Sequence, residues 1–250
     1  MPNLNAFLFI TPEQHYLMYS SVVLREIMAQ NQNVAFTMAE APGGSAMPDP
    51  INRALAEIDP ILFAGCGHGA KDTWTVECTT VYMQTGDSNA RRMAGRIVVL
   101  NSCLVGSELG PSLVNDMGAL AFFGSREPFT FYVREGPGVA YPEKSCFYAE
   151  WQSIDSLLKG KTAGQSQAER LARYDQEIEY WTTGAGAGYE DSYMVVRALR
   201  IDKDIAVFYG QEGVTVSSVS GEPAWNVMAT AAGLSPIIAV GTAILLAEVT

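Results

Sequence analysis

An imidazole and a thiol, the pair needed for nucleophilic catalysis by cysteine, each stand at the end of a short apolar run. ILFAGCGHG carries His68 and RIVVLNSC carries Cys103. Each run is bounded by polar or glycine residues and is too short for a helix, which is how a buried parallel strand reads. Ligands of an open parallel α/β sheet bind outside the carboxyl ends of its strands. Pairing of the two runs would therefore bring His68 and Cys103 to one sheet edge. The thiolate is the attacking species, and a neighbouring imidazole or a helix N-terminus lowers the thiol pKa. Gly67 and Gly69 flank His68, so the backbone there can approach a ligand closely and present its N–H groups. The N–H groups of Gly69 and Cys103 can then form an oxyanion hole. Singly, each residue has a plainer reading: a solvated histidine in a Gly-rich turn, and a cysteine acting as a small buried hydrophobe. The ordered pair carries the chemistry.

The elements that must position this pair follow from the pattern around it. LNAFLFI (4–10) reads as a strand, and Thr11-Pro12 reads as the N-cap and first position of a helix. NVAFTMA (33–39) is the second strand, Asp49-Pro50 opens a short helix through Ile58, and PILFAGC (60–66) is the third strand. TWTVECTTVYM (73–83) alternates polar and apolar residues, the mark of a half-exposed strand or hairpin. RIVVLNS (96–102) is buried strand, Leu109 to Met117 helix, and ALAFFG (119–124) a further strand. Two helices, 145–158 and 164–181, flank the turn Lys159-Gly160-Lys161-Thr162. A last strand pair is expected at IAVFYG (205–210) and VTVSSV (214–219). Alternating strands and helices predict an α/β fold: a three-layer αβα sandwich around a mostly parallel sheet.

The chain has 250 residues, 48% of them hydrophobic, enough for one large core. A net charge of −11 argues against a nucleic-acid surface, which needs a basic stripe. Four cysteines, Cys66, Cys78, Cys103 and Cys146, do not form the dense pattern of a disulfide framework. The N-terminus reads as a first strand and not as a signal peptide, so a cytoplasmic setting is expected. Residues 1–222 are read as one domain and 223–250 as a tail. From Ala224 to Ala247 that tail has no charged residue. It is read as a packing or self-association segment, with membrane association the less favoured alternative because Gly233, Pro236 and Gly241 interrupt it.

Strand-His68-Gly69, then VVLNSCLVG (98–106), then MGALAFFGSREP (117–128) resembles the caspase-like cysteine peptidases, clan CD. The likeness is closest to the gingipain and CHAT branch. FYAEWQSIDSLLKGKTAGQSQAERLARY (147–174) is similar to the helix pair and Gly-Lys-Thr-x-Gly turn that follow the catalytic strand there. The resemblance covers roughly residues 4–210. It implies a cysteine endopeptidase with His68 as general acid or base and Cys103 as nucleophile, working through a thioester acyl-enzyme on a peptide or protein substrate. It implies backbone N–H groups of Gly69 and Cys103 in the oxyanion hole. No cofactor or metal is expected; some relatives need calcium, and no compact acidic loop here argues for it. In this group the imidazole often sits across the substrate from the thiol. The third, orienting residue varies between branches, and Glu40 is a candidate here. Many members choose a basic P1 residue through an acidic pocket. The net negative charge agrees with that choice, and Asp72 is a candidate wall of the pocket. Trp74 and the aromatics of FTFYV (129–133) are further candidate walls. Arg134 and Lys144 are candidate self-cleavage sites, since loops in this position are cut in some relatives.

Three rival readings stand beside the peptidase. Cys66, His68, Cys78 and Cys103 supply four soft metal ligands, but not with the short paired spacings of a zinc site. Gly160-Lys161-Thr162 lacks the strand and Gly-rich loop that a phosphate-binding loop requires. The third rival is an inactive, peptidase-like module used for binding or assembly, since function lives in the site and not in the fold.

Overall fold

Two wholly buried strands, β3 (Pro60–Cys66) and β7 (Ile97–Asn101), lie side by side in the middle of a six-stranded sheet. They are parallel and in register from Leu62↔Ile97 to Cys66↔Asn101. Both are apolar runs covered on two faces, which explains why neither alternates polar with apolar residues. The computed structural model describes residues 2–14, 17–31, 36–76, 80–133 and 141–216. His15, Cys78, Arg134 and the tail 223–250 lie outside them.

The remaining large-sheet strands are β1 (Asn3–Thr11), β2 (Thr37–Pro42), β8 (Ala121–Ser125) and β9 (Ala206–Gly210), in the order β2-β1-β3-β7-β8-β9. The first five are parallel, and β9 closes the edge antiparallel to β8. Between β3 and β7 the chain makes a second, antiparallel sheet: β4 (His68–Gly69), β5 (Thr73–Thr75) and β6 (Val81–Gln84).

Helices cover both faces of the large sheet. On one face α2 (Pro48–Ile58), α3 (Ser88–Arg91) and α4 (Leu109–Asn115) pack with Trp74, Tyr82 and Met83 of the small sheet. Leu8, Ile10, Phe63, Val98 and Leu100 meet them from the strands. The opposite strand positions, Phe7, Phe9, Leu62, Ala64 and Val99, face α1 (Leu17–Gln30) and α5 (Ser145–Leu158). The period of two along each strand sorts these residues between the layers. Then α6 (Ala163–Thr182) and α7 (Ser192–Ile205) pack on α5 around Tyr174, Trp181, Val195 and Leu199. Thr162 starts α6 with a reciprocal capping box to Gln165, so the Gly160-Lys161-Thr162 turn serves a helix start.

Three expectations change. Thr11 is not a helix cap: it is the buried last residue of β1, bonded to Glu40, and the helix starts at Leu17. Helix α7 was not foreseen. Its buried stripe, Val195, Leu199, Asp202 and Ile205, has helical spacing, but the carboxylate in it masks the apolar period. Residues 214–216 are not strand, and 217–219 lie outside the described residues, so only the first of the expected last pair is described as β9.

Candidate active site

The register of β3 and β7 fixes the position of both chemical groups. Cys66 pairs with Asn101, and His68 and Cys103 each follow two residues later. The ladder continues one step beyond the strands, with the Gly67 N–H donating to the Asn101 carbonyl at 3.4 Å. Both chains therefore leave the sheet at its carboxyl edge, and His68 and Cys103 line a single cavity of about 120 Å³. His68 is exposed and Cys103 half-buried.

Glycine on both sides of His68 is a steric requirement. A Cβ on Gly67 would lie 2.1 Å from the Thr75 carbonyl oxygen, and one on Gly69 would lie 2.1 Å from the Cys103 carbonyl oxygen. The His68 segment is thus wedged between the β5 strand and the Cys103 turn. In the hairpin, the Ala70 N–H donates to the Thr73 carbonyl, and Gly69 faces Trp74 one position back. Antiparallel pairs alternate between bonded and non-bonded. Gly69 therefore falls on the non-bonded position, and its N–H points away from β5. Among the described residues the Cys103 N–H makes no backbone–backbone hydrogen bond, and it faces its own sulfur. These are the two groups named for an oxyanion hole.

Trp74 ties the two strand ends together. Its indole Nε1–H donates to Ser102 Oγ at 2.8 Å, and the Ser102 hydroxyl donates to the Gly67 carbonyl at 2.8 Å. The ring is fully buried against Phe63 and Tyr82, with edge-to-face contacts to both. Trp74 is therefore a positioning residue in the core and not a pocket wall. Immediately after the cysteine, Leu104 adopts φ +63°, a left-handed conformation costly for a residue with a Cβ. The Leu104 N–H donates to the Glu127 carbonyl and the Gly106 N–H to Ser125, which hold this sharp turn against the strand β8 side. Strain of this kind persists where the surroundings over-determine it.

Burial pushes the Cys103 thiol above its ordinary pKa, against a lowering hydrogen bond from the Phe129 backbone, with the charge of Asp202 adding to the rise. Cys66 is fully buried beside Ser21, 3.2 Å from its hydroxyl, and burial raises its pKa to about 11.

Besides the pair, the cavity is lined by Leu17, Ser20, Gly67, Asn101, Ser102, Phe129, Phe131 and Phe147. Segment 129–131 is anchored by Asp202, which accepts the Thr130 N–H at 2.7 Å. The aromatics of FTFYV do wall the site, through Phe129 and Phe131. Two larger clefts, about 560 and 530 Å³, run along α7 and contain neither His68 nor Cys103.

Glu40 and Asp72 are placed elsewhere. Glu40 lies on the edge strand β2 and engages Thr11 and the Arg25 guanidinium, so its carboxylate is spent on α1 and β1 and does not orient His68. Asp72 sits in the turn between β4 and β5, bonded to Thr73 and Gln84, and is not part of the cavity wall. Its hydrogen bonds from Gln84, then Thr73, lower its pKa. Lys144 directly precedes α5 and pairs with Glu26, a poor placement for a self-cleavage site. Among the described residues no cluster of three metal-ligating side chains occurs, and no helix is long and apolar enough to cross a membrane.

Sequence reasoning missed Ser20, Asn101, Ser102, Trp151 and Asp202, which support the site. Ser102 adjoins Cys103 and so was visible in principle. Ser20 and Trp151 come from separate helices that only the fold brings together. Comparison with known families and with curated proteins finds no match to this chain.

Proposed function

We propose that the protein is a cysteine endopeptidase of the caspase-like kind, with Cys103 as nucleophile and His68 as general acid–base. The observation that carries this reading is the shared cavity: two residues beyond a register pair, His68 and Cys103 face the same space, with the Gly69 backbone against Cys103. A mostly parallel sheet covered on both faces, with the pair at its carboxyl edge, fits the three-layer αβα, caspase- or gingipain-like architecture.

In this mechanism the scissile carbonyl binds between the two side chains, its oxygen toward the Gly69 and Cys103 N–H groups. The Cys103 sulfur bonds to the carbonyl carbon as the thiol proton passes to His68. The imidazolium gives that proton to the leaving amine, the C–N bond breaks, and a thioester remains. Water then attacks the thioester carbon, losing a proton through His68 to the departing sulfur. The cycle restores the thiol and consumes one water per bond cut.

The alternative is a peptidase-like module that binds peptides without cutting them, since the fold does not by itself carry the activity. Turnover of a fluorogenic peptide library separates the two. The peptidase predicts release of fluorophore by the wild type and none by Cys103→Ala. A folded wild-type protein that turns over no member of the library would favour the binding module.

A further inference from the structure

Apart from His68 and Cys103, the polar groups that line the cavity are bonded within the protein or out of a ligand's reach. The Gly67 N–H donates to the Asn101 carbonyl, and the Gly67 carbonyl accepts the Ser102 hydroxyl. Ser102 Oγ also accepts the Trp74 indole N–H. Ser20 Oγ accepts the Trp151 indole N–H at 3.0 Å and lies 2.7 Å from the side-chain amide oxygen of Asn101. Ser20, Ser102 and Asn101 are 1%, 3% and 5% exposed, and Asn101 Nδ2 is buried. These side chains give the cavity hardly any open polar surface.

The open wall comes instead from Leu17, Phe129 and Phe131, which are only half-buried. The Phe147 ring backs the other two phenylalanines, with centroids 5.7 and 4.9 Å away. No carboxylate, lysine or arginine lines the cavity among the described residues. A guanidinium or carboxylate entering it would lose its hydration with no opposite charge to face. A carboxamide would lose its bonds to water with no free partner, because His68 and Cys103 are engaged at the scissile bond. The volume is about 120 Å³, and a dry apolar cavity of about 150 Å³ takes a benzene ring. The space therefore fits a branched aliphatic group and is too small for an indole.

We infer that this cavity takes a short, branched apolar side chain, leucine or valine, on the residue whose carbonyl Cys103 attacks. The placement at P1 rests on the peptidase reading, and the apolar class rests on the wall. An apolar P1 stands in place of the basic one expected from Asp72, which lies outside the wall.

Binding tests this without turnover. Cys103→Ala protein is titrated with acetyl-Ala-Ala-X-amide peptides, X being Leu, Val, Ala, Trp, Asn, Asp or Arg, and the ring protons of Phe129 and Phe131 are followed by NMR. The Leu and Val peptides should shift those rings. Leu should bind about tenfold more tightly than Ala, which buries less apolar surface, and than its near-isostere Asn. Trp, Asp and Arg should bind no better than Ala. Adding Leu17→Asp places a carboxylate in the wall and should lift the Arg peptide above the Leu peptide. Leu17 is the first residue of α1, where an aspartate favours the helix. If that variant does not fold, the peptide ranking and the ring shifts decide alone. Binding of Asn, Asp, Arg or Ala as tight as Leu, an unchanged ranking in folded Leu17→Asp, or no binding by any peptide would each overturn the inference. Leu-selective binding with no cleavage of the same peptides by the wild type would leave the apolar site standing and remove the peptidase. Cleavage with no preference for Leu or Val would do the reverse.

Discussion

Gly69 and Cys103 meet backbone to backbone: a Cβ on Gly69 would lie 2.1 Å from the Cys103 carbonyl oxygen and 2.7 Å from Val105 Cγ1. No rotamer relieves that overlap, since Cβ is fixed to the backbone and its first neighbour is backbone too. Gly69→Ala must push the His68 segment off the Cys103 turn. Overpacking of this kind costs about 1–3 kcal/mol, and a shift of roughly 1 Å in a catalytic geometry costs about a hundredfold in rate. Urea unfolding and peptide turnover check the two effects. Wild-type stability and turnover in Gly69→Ala would mean that the contact is not present.

The Trp74–Ser102–Gly67 relay predicts coupling between two core substitutions. Trp74→Phe keeps a ring against Phe63 and Tyr82 but removes the donor to Ser102, at about 0.5–1.5 kcal/mol. Ser102→Ala leaves both the Trp74 N–H and the Gly67 carbonyl without their partner. The double variant should lose less stability than the sum of the two, because both break one relay. Thermal unfolding of the four proteins measures this. Strict additivity would contradict the relay.

How far the site was legible in the sequence follows from where each part of it lies. His68, Cys103 and the two glycines are local features at strand ends, and the central strands were readable because burial on both faces makes them continuous apolar runs. β3 was found with its observed bounds, 60–66. The supporting shell was not readable. Ser20, Asn101 and Trp151 come from three elements, and only the register of β3 with β7 and the packing of α1 on α5 bring them together. Glu40 looked like a strand-end carboxylate near the site. Two strands separate β2 from β7, and an arginine on α1 claims it.

The thiols set the behaviour at high pH. Burial raises the pKa of Cys66 to about 11 and raises those of Cys103 and Cys146. The folded state therefore holds these protons longer than the unfolded chain. Their contribution to stability is complete below the ordinary thiol pKa of 9.0 and is lost as pH rises through the folded values. Alkylation of Cys103 by iodoacetamide, followed on its peptide by mass spectrometry, should still be accelerating at about pH 9, since the rate follows the thiolate. A plateau below about pH 8 would contradict a protonated resting thiol.

A buried ion pair holds the helical layer to the sheet behind the site. Arg170 and Glu150 are both fully buried, 2.6 Å apart, with the Tyr174 hydroxyl donating to the same carboxylate at 2.9 Å. Arg170 also donates to the carbonyls of Gly124 and Val207 on β8 and β9. Arg170→Met removes the cation and strands Glu150 in the core, an uncompensated charge costing about 3–5 kcal/mol. Denaturant unfolding checks it. A loss under about 1 kcal/mol would show that the pair does not hold these elements together.

The proposed peptidase requires that Cys103 attack a carbonyl with the help of His68. Wild-type protein treated with peptidyl acyloxymethyl ketones bearing Asn, Thr, Leu or Arg at P1 should gain one adduct, located on Cys103 by peptide mapping. His68→Ala should slow that adduct by about a hundredfold or more, Cys103→Ala should abolish it, and both variants should keep the wild-type circular dichroism spectrum. An adduct on another residue, or labelling of Cys103 at the same rate without His68, would contradict the pairing of these two residues in one active site.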